Sequence, residues 1–373
     1  MGDFFLRLWV DLLHFQPYAI LTTVAGGALS ALGAVTFVHV VLPVGKRALR
    51  AFRRSRRRVH ERLLGDPIDG EVWLYDKRTQ IVAIDGAGQY PYRRDGIQIK
   101  IIDRPSFPQD IQSVWNEFGR KMEVQNATQT DTAIYNGPLL NIQSILVTRD
   151  PEERYLHATL TCFSTDYWLF KAVQTGLREN SIDSKILYDL ESRDAQNPNP
   201  YLAVGVGLVL TIITNDDAIV AGRRASKVAT KPGEFAIALA EGLDPNKDGS
   251  RGRVDLWEVA KRLVEEELSP EIKLKDENIQ ILGFGLNRKE YLYNFVGCVM
   301  LPCSFSELLR FRSRGSQGKW KTASITRVEM DGNSVREAVN RSARLGFSVW
   351  SLYLTMASMD KKVIANSMRG KNK

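Results

Sequence analysis

The chain has 373 residues, of which 44% are hydrophobic and 25% are charged, and these proportions are typical of a folding chain rather than a disordered one. Its formal net charge is +8. Of the 51 basic and 43 acidic residues, nine basic and one acidic lie between Lys46 and Arg62, which leaves 42 of each elsewhere. A neutral body argues against nucleic acid as a partner, because broad nucleic-acid binding needs many clustered cations.

The first predicted element is an apolar helix near the N-terminus. Residues 18–45 contain no Asp, Glu, Lys or Arg, and about 20 such residues cross a bilayer. A cleaved signal peptide is the alternative, but its apolar core is shorter and its charges precede it. Because the cations follow the span, we predict a single-pass cell-membrane protein with the N-terminus outside and a cytoplasmic body.

A basic juxtamembrane helix is predicted at residues 46–64. The cations from Lys46 to Arg62 are either a simple stop-transfer flank or also a patch for anionic lipid headgroups. Within the span, Gly26 and Gly27 are each followed four residues later by a small residue. This spacing favours a homo-oligomer through the transmembrane helix, although small residues are common in membrane helices in any case.

The body is predicted to be of the α+β class, with two subdomains and a basic disordered tail at residues 361–373. A β-rich subdomain at residues 65–200 has strands at 71–75, 80–84, 96–102, 141–148 and 155–163 and a helix at 108–122. A second domain at residues 201–360 has strands at 202–214, 218–223, 279–285 and 291–301 and helices at 254–268, 304–312 and 333–359.

Cysteine and histidine offer little chemistry in this sequence. The three cysteines, Cys162, Cys298 and Cys303, form no C-x-x-C pair, so we predict free buried thiols. Of the four histidines only His157 lies well inside the body, and its place in an apolar strand predicts a structural role.

The predicted helix at residues 254–268 ends in three consecutive acids, Glu265, Glu266 and Glu267. Carboxylates at a helix C-terminus oppose the macrodipole at about 0.3–1 kcal/mol each, so a compensating cation is expected. A divalent metal is one alternative, since carboxylate oxygens are the ligands that Mg²⁺ and Ca²⁺ prefer. A solvated face balanced by Lys261 and Arg262 is the other.

The segments 202–223, 232–243 (PGEFAIALAEGL), 260–269 (AKRLVEEELS) and 294–308 together resemble the Nudix superfamily, whose helix signature is R-E-U-x-E-E-x-G-U, where U is aliphatic. Arg262, Val264, Glu266 and Glu267 match it, whereas Leu263 and Ser269 replace a glutamate and a glycine. Upstream, the stretches 134–138 (IYNGP) and 165–167 (TDY) resemble the subgroup that hydrolyses uridine diphosphate sugars.

The resemblance implies a Nudix-like α/β/α sandwich behind an N-terminal β-rich extension. It implies a Mg²⁺- or Mn²⁺-dependent hydrolase that cleaves a nucleoside diphosphate linked to another group, such as a nucleotide sugar. Its catalytic residues would be Arg262, Glu266, Glu267 and Glu258, with metal bound by Glu266, Glu267 and Glu241. The alternative, favoured by the replacement at Leu263, is a catalytically silent sensor or scaffold that binds a small nucleotide ligand at the cytoplasmic membrane face.

The sequence also contains a second candidate ion site. The loop DPNKDGSRGRVD at residues 244–255 follows EF-hand spacing, which would place Ca²⁺ on Asp244, Asn246, Asp248 and Asp255. The other interpretation is a polar loop that leads into the following helix.

Overall fold

The computed structural model describes residues 71–75, 77–85, 90–107, 109–128, 136–149, 156–172, 195–201, 205–226, 233–288, 290–314, 322–342, 346–359 and 368. All of them lie in one compact unit, Pro67–Lys373. The strands are β1 (Glu71–Leu74), β2 (Lys77–Asp85), β3 (Ile97–Ile102), β4 (Pro138–Arg149), β5 (Leu156–Asp166), β6 (Val206–Ile213), β7 (Ala218–Arg224), β8 (Phe235–Ala236), β9 (Leu239–Gly242), β10 (Gly249–Ser250), β11 (Arg253–Val254), β12 (Ile279–Asn287), β13 (Leu292–Met300) and β14 (Thr322–Glu329). The helices are α1 (Gln109–Thr128), α2 (Leu256–Glu267), α3 (Phe305–Arg314), α4 (Gly332–Arg341) and α5 (Phe347–Ser358), with a 3-10 turn at Asp276–Asn278.

The strands form two sheets. The larger has nine strands in the order β1-β2-β12-β13-β6-β7-β14, with β9 added on β6 and β8 on β7. Its β6 and β13 run parallel, and every residue of β6 is buried, as expected for a strand covered on both faces of its sheet. The smaller sheet has the order β10-β11-β3-β5-β4.

Two apolar cores flank the larger sheet. On one face, α5 packs against β13, β6 and β12, and the hydroxyl of Ser351 donates to the carbonyl of Gly297 at 2.7 Å. On the other face, Leu263 of α2 shares a core with Leu140 and Leu160 of the smaller sheet. The apolar side of α2 therefore packs in the core that the two sheets share.

Several predicted elements are confirmed. The hairpin from residue 202 to 223 is present as β6 and β7, α2 occupies the predicted helix at 254–268, and all three cysteines are free and buried. Burial raises the pKa of the Cys162 thiol to about 12, so it is protonated at neutral pH. The single helix predicted at 333–359 is wrong, because the chain breaks before Phe347 and forms α4 and α5.

The predicted fold class is corrected. The structure is a mixed α/β fold with two sheets, and the β-rich N-terminal half is not a separate extension. Strand β2 pairs with β12 of the larger sheet, whereas β11 from the C-terminal half pairs with β3. Alternation in the sequence identifies a strand but not its partner, and these long-range pairings decide the architecture.

The membrane prediction is also overturned. Over the part of the chain that the structure describes, no helix is long and apolar enough to cross a bilayer. This finding contradicts the prediction of a single-pass protein in the cell membrane. The predicted span at 18–45 and the predicted basic helix at 46–64 lie outside the described residues.

Candidate functional site

Helix α2 carries most of the residues that the sequence singles out. Its N-cap is Asp255, whose carboxylate accepts a hydrogen bond from the backbone N–H of Trp257 at 2.9 Å. Val259, Leu263 and Val264 are buried on its inner face. Leu263 therefore belongs to the core, where a glutamate would place an unpaired charge among apolar side chains.

Arg262 is the centre of a charged group, which we call the acidic cluster and define as Glu241, Asp248, Arg262 and Glu266. Two guanidinium nitrogens bind Asp248, with Nε to Oδ1 at 2.9 Å and Nη2 to Oδ2 at 3.1 Å. The Nη1 atom lies 3.2 Å from Glu266 Oε2 and 3.9 Å from Glu241 Oε1. Burial alone would lower the pKa of Arg262, but the hydrogen bond to Asp248 and the surrounding carboxylates raise it.

The acidic cluster has a formal charge of −2, since three carboxylates surround one guanidinium. The side chain of Asp248 is only 1% exposed, and both its oxygens accept hydrogen bonds from Arg262. Glu241 and Glu266 are 15% and 29% exposed and share one guanidinium atom. These two carboxylates are therefore the members of the cluster that a cation could reach.

Glu267 points elsewhere, although it follows Glu266 directly. It is 4% exposed, and its Oε2 accepts a hydrogen bond from the hydroxyl of Thr322 at 3.3 Å. The neighbouring Arg312 donates to the backbone carbonyls of Glu267 and Thr322. Consecutive residues of a helix are about 100° apart around its axis, so the two predicted metal ligands face different surroundings.

A cleft opens beside Glu267, at the end of α2. It is small, with a cavity volume of about 30 Å³, and is partly open to solvent. Its walls come from β7, the β8–β9 segment, the end of α2 and β14, and they are formed by Val220, Ala221, Gly222, Arg224, Ala236, Ala238, Leu239, Ala240, Glu267, Leu268, Thr322 and Ile325. Ala240 and Glu267 line this cleft, whereas their chain neighbours Glu241 and Glu266 do not.

Glu258 lies in a separate charged network on the outside of α2. Its Oε1 atom is 2.9 Å from both Arg94 Nη2 and Lys261 Nζ, and Lys261 also binds Asp276 at 2.8 Å. The hydrogen bond from Lys261, with a further one from Arg94, lowers the pKa of Glu258. A general base near neutral pH needs a raised carboxylate pKa, so this position does not suit the predicted catalytic role.

The three aspartates of the EF-hand-like loop each bind protein groups. Asp244 Oδ1 accepts from the backbone N–H of Asn246 at 2.8 Å, Asp248 binds Arg262, and Asp255 caps α2. These three carboxylates are thus used by protein groups, and Ca²⁺ binding at the loop stays a prediction. Within the described ranges, no group of three or more Asp, Glu, His or Cys side chains is arranged to hold a metal ion.

Two residues at this site were not identified from the sequence. Asp248 was considered only as a calcium ligand, whereas the structure makes it the principal partner of Arg262. Arg312 is buried on the inner face of α3 with Phe305 and Leu308. The signal for Arg312 is its spacing, because it occupies the next position of an apolar stripe at helical period.

Comparison with known protein families and with curated proteins found no match for this chain. The Nudix resemblance is therefore contradicted, and the hydrolase activity that it implied has no support. Two positions in the structure also differ from the Nudix pattern. Leu263 is a core residue, and Glu267 does not lie with Glu266. The roles of Glu241, Glu266 and Glu267 in metal binding stay predictions.

Proposed function

We propose that this domain is a non-catalytic binding module for a small phosphate-bearing ligand, of the nucleoside diphosphate class, held through a divalent cation at the acidic cluster. The observation that carries the proposal is the pair of partly exposed carboxylates, Glu241 and Glu266, beside one guanidinium atom of Arg262. The cluster has a net negative charge, which favours a bound cation.

The chemistry of magnesium fits two carboxylates better than a complete protein cage. Mg²⁺ keeps several waters and is usually bound through one or two carboxylates together with phosphate oxygens of a ligand. A divalent ion at Glu241 and Glu266 would cancel the formal charge of −2.

A binding role is favoured over turnover by the placement of the remaining acids. Glu258 is tied to Arg94 and Lys261, and Glu267 is buried against Thr322. Neither lies free beside the cation position to activate a water molecule. The acidic cluster therefore suits recognition of a ligand, without Glu258 or Glu267 placed to break that ligand down.

The proposal is tested by thermal unfolding of the full chain with Mg²⁺ or Mn²⁺, in the presence and absence of ADP, UDP and a uridine diphosphate sugar. We expect the cation and at least one nucleotide to raise the melting temperature together. Glu266→Gln should abolish this joint shift. Glu265→Gln is the matched control, because Glu265 is the preceding residue of the same helix and binds Lys273 on the surface.

Chromatography of the nucleotides after incubation completes the test. We expect them to be recovered unchanged. Release of nucleoside monophosphate, lost in Glu266→Gln, would show that the module is catalytic. The absence of any cation-dependent shift in the wild-type chain, or an equal shift in Glu266→Gln, would remove the acidic cluster as the binding site.

A further inference from the structure

The outer edge of β4 is open over half of its length. Strand β4 is the last strand of the smaller sheet and pairs with β5 on one side. Its first half is covered, because Leu140 donates its backbone N–H to the carbonyl of Leu243 at 3.1 Å. The amide of Asn141 also donates to the carbonyl of Pro200 at 2.9 Å. Among the described residues, 144–148 make no hydrogen bond beyond the β5 ladder, and we call them the open edge.

The open edge has the sequence SILVT, which is uncharged and suited to strand pairing. It contains no charged residue, Gly or Pro, and its β-branched Ile145, Val147 and Thr148 favour the strand conformation. Ile145 and Val147 are half-buried at the rim of the core that the two sheets share. Leu146 points to the opposite face and is 61% exposed. Both faces of the open edge therefore present apolar surface that a further strand would cover.

The other ends of the two sheets are protected in ways that the open edge is not. Proteins blunt exposed sheet edges with charges, short strands or a covering segment. Strand β14 carries Arg327 and Glu329, which form an exposed ion pair, and β10 has only two residues. Strand β1 has four residues, and Tyr75 directly after it donates its backbone N–H to the carbonyl of Met368 at 2.5 Å. The described residues give the open edge none of these protections.

The backbone of the open edge is regular enough to pair along its whole length. The register shift in the β4–β5 ladder falls between Ile142 and Ser144, before the open edge begins. From Ser144 to Arg149 the ladder then runs without a break. The bulge, which is another device that protects edges, therefore separates the covered half of β4 from the open edge and leaves the open edge itself uninterrupted.

We propose that the open edge pairs with the open edge of a second copy of this chain, antiparallel about a two-fold axis at Leu146. In that register Ser144 of each copy lies opposite Thr148 of the other, which pairs hydroxyl with hydroxyl. Ile145 lies opposite Val147 on the inner face, and Leu146 lies opposite its own counterpart on the outer face. Such matched cross-strand pairs stabilise an antiparallel ladder.

A second copy fits the open edge better than a charged partner does. The open edge has no charge to complement, and its order of polar, apolar, apolar, apolar and polar residues is the same in both directions. A two-fold contact places one surface against itself, and this order makes the surface self-complementary. Five residues from each copy are fewer than the roughly 20–30 a side of stable interfaces, so the dimer should dissociate on dilution. The open edge shares no residue with the acidic cluster, so the dimer is independent of the proposed function.

The test is sedimentation velocity of the full chain across a wide range of concentrations, where we expect a monomer–dimer equilibrium. Leu146→Lys should weaken association by about tenfold or more, because two lysines then lie directly opposite each other. The fold should tolerate this change, since Leu146 is mostly exposed. Gln98→Lys is the matched control. Gln98 is exposed and lies in the same cross-strand row as Leu146, through Thr159, but on the interior strand β3.

A mixture of two variants tests the two-fold register directly. Leu146→Glu should also be monomeric by itself, whereas an equal mixture of Leu146→Glu and Leu146→Lys should form dimers, since opposite charges then meet at the axis. In the wild type, hydrogen exchange at the backbone N–H groups of residues 144–148 should slow as the concentration rises. A wild type that is monomeric at every concentration, association unchanged in Leu146→Lys, or no dimer in the mixture would overturn the proposal.

Discussion

Arg262 holds Asp248 through a two-nitrogen contact in which the aspartate side chain is almost completely removed from solvent. This contact joins the middle of α2 to the loop between β9 and β10. The same carboxylate accepts a hydrogen bond from the backbone N–H of Asp244 at 2.8 Å. The pair therefore fixes the loop and also places the Nη1 atom between Glu241 and Glu266.

Removing the guanidinium alone should be strongly destabilising. Arg262→Met leaves the Asp248 carboxylate buried without its counter-charge, and breaking a buried pair in this way costs about 3–5 kcal/mol of unfolding free energy. Urea unfolding followed by circular dichroism measures the loss. Arg262→Met combined with Asp248→Asn should recover much of it, since the amide still accepts from Asp244. A loss below about 1 kcal/mol in the single variant would mean that the pair behaves as a surface contact.

The charged network of Arg94, Glu258, Lys261 and Asp276 on the outer side of α2 predicts that the stability of the fold depends on pH. The hydrogen bonds from Lys261 are the largest cause of the lowered pKa of both Glu258 and Asp276. A carboxylate with a lowered pKa adds stability above its unfolded pKa of about 4 and loses it as pH falls through the folded value. Lys261→Met should therefore be less stable than the wild type at neutral pH, by under about 1 kcal/mol, with the difference vanishing in acid.

Chemical unfolding of both chains across the acidic range gives this comparison. Lys247→Met is the control, because it removes an exposed lysine from the nearby loop and should leave the pH profile unchanged. A difference between Lys261→Met and the wild type that stays constant into acid would show that the lysine acts through packing of its aliphatic stem and not through charge.

Local patterns in the sequence predicted much of the fold. The run VGLVLTII and the turn before Ala218 predicted β6 and β7, and the apolar spacing from Val259 to Val264 predicted α2. Strand β14 was missed because Thr322–Glu329 is mostly exposed and lacks an apolar run. The short strands β8 to β11 were missed because two to four residues are too few for a periodic signal.

The candidate site was only partly predictable. The pairing of Arg262 with Glu266 follows from their i, i+4 spacing on one helix. The contact with Asp248 depends on how the loop between β9 and β10 folds back onto α2. Side-chain partners of this kind are set by the tertiary fold, so the sequence predicts Asp248 only as a calcium ligand and not as the partner of Arg262.

The contacts of Arg312 predict that this residue stabilises the junction between α2, α3 and β14. Its buried guanidinium donates to the carbonyls of Glu267 and Thr322 and lies near the Glu267 carboxylate. Arg312→Met would leave these groups unsatisfied, at about 3 kcal/mol or more of unfolding free energy. Arg310→Met is the matched control on the same helix, because Arg310 is exposed and its guanidinium makes surface contacts, a 3.6 Å pair with Glu307 and a 5.9 Å approach to the ring of Phe311. Equal effects of the two substitutions would contradict a bridging role.

Gly297 in β13 is a position where even one added carbon does not fit. A Cβ atom there would lie 2.1 Å from the carbonyl oxygen of Gln280 in the paired strand β12. The carbonyl of Gly297 also accepts the hydrogen bond from Ser351 of α5. Gly297→Ala should therefore force the two central strands apart and lower the unfolding free energy by about 1–3 kcal/mol. Thermal and urea unfolding measure the change. Gly332→Ala at the start of α4 is the control, because nothing lies within 4 Å of its Cβ position, and alanine there should leave stability unchanged or slightly raised. A Gly297→Ala variant as stable as Gly332→Ala would show that β12 and β13 pair less closely than the described ladder requires.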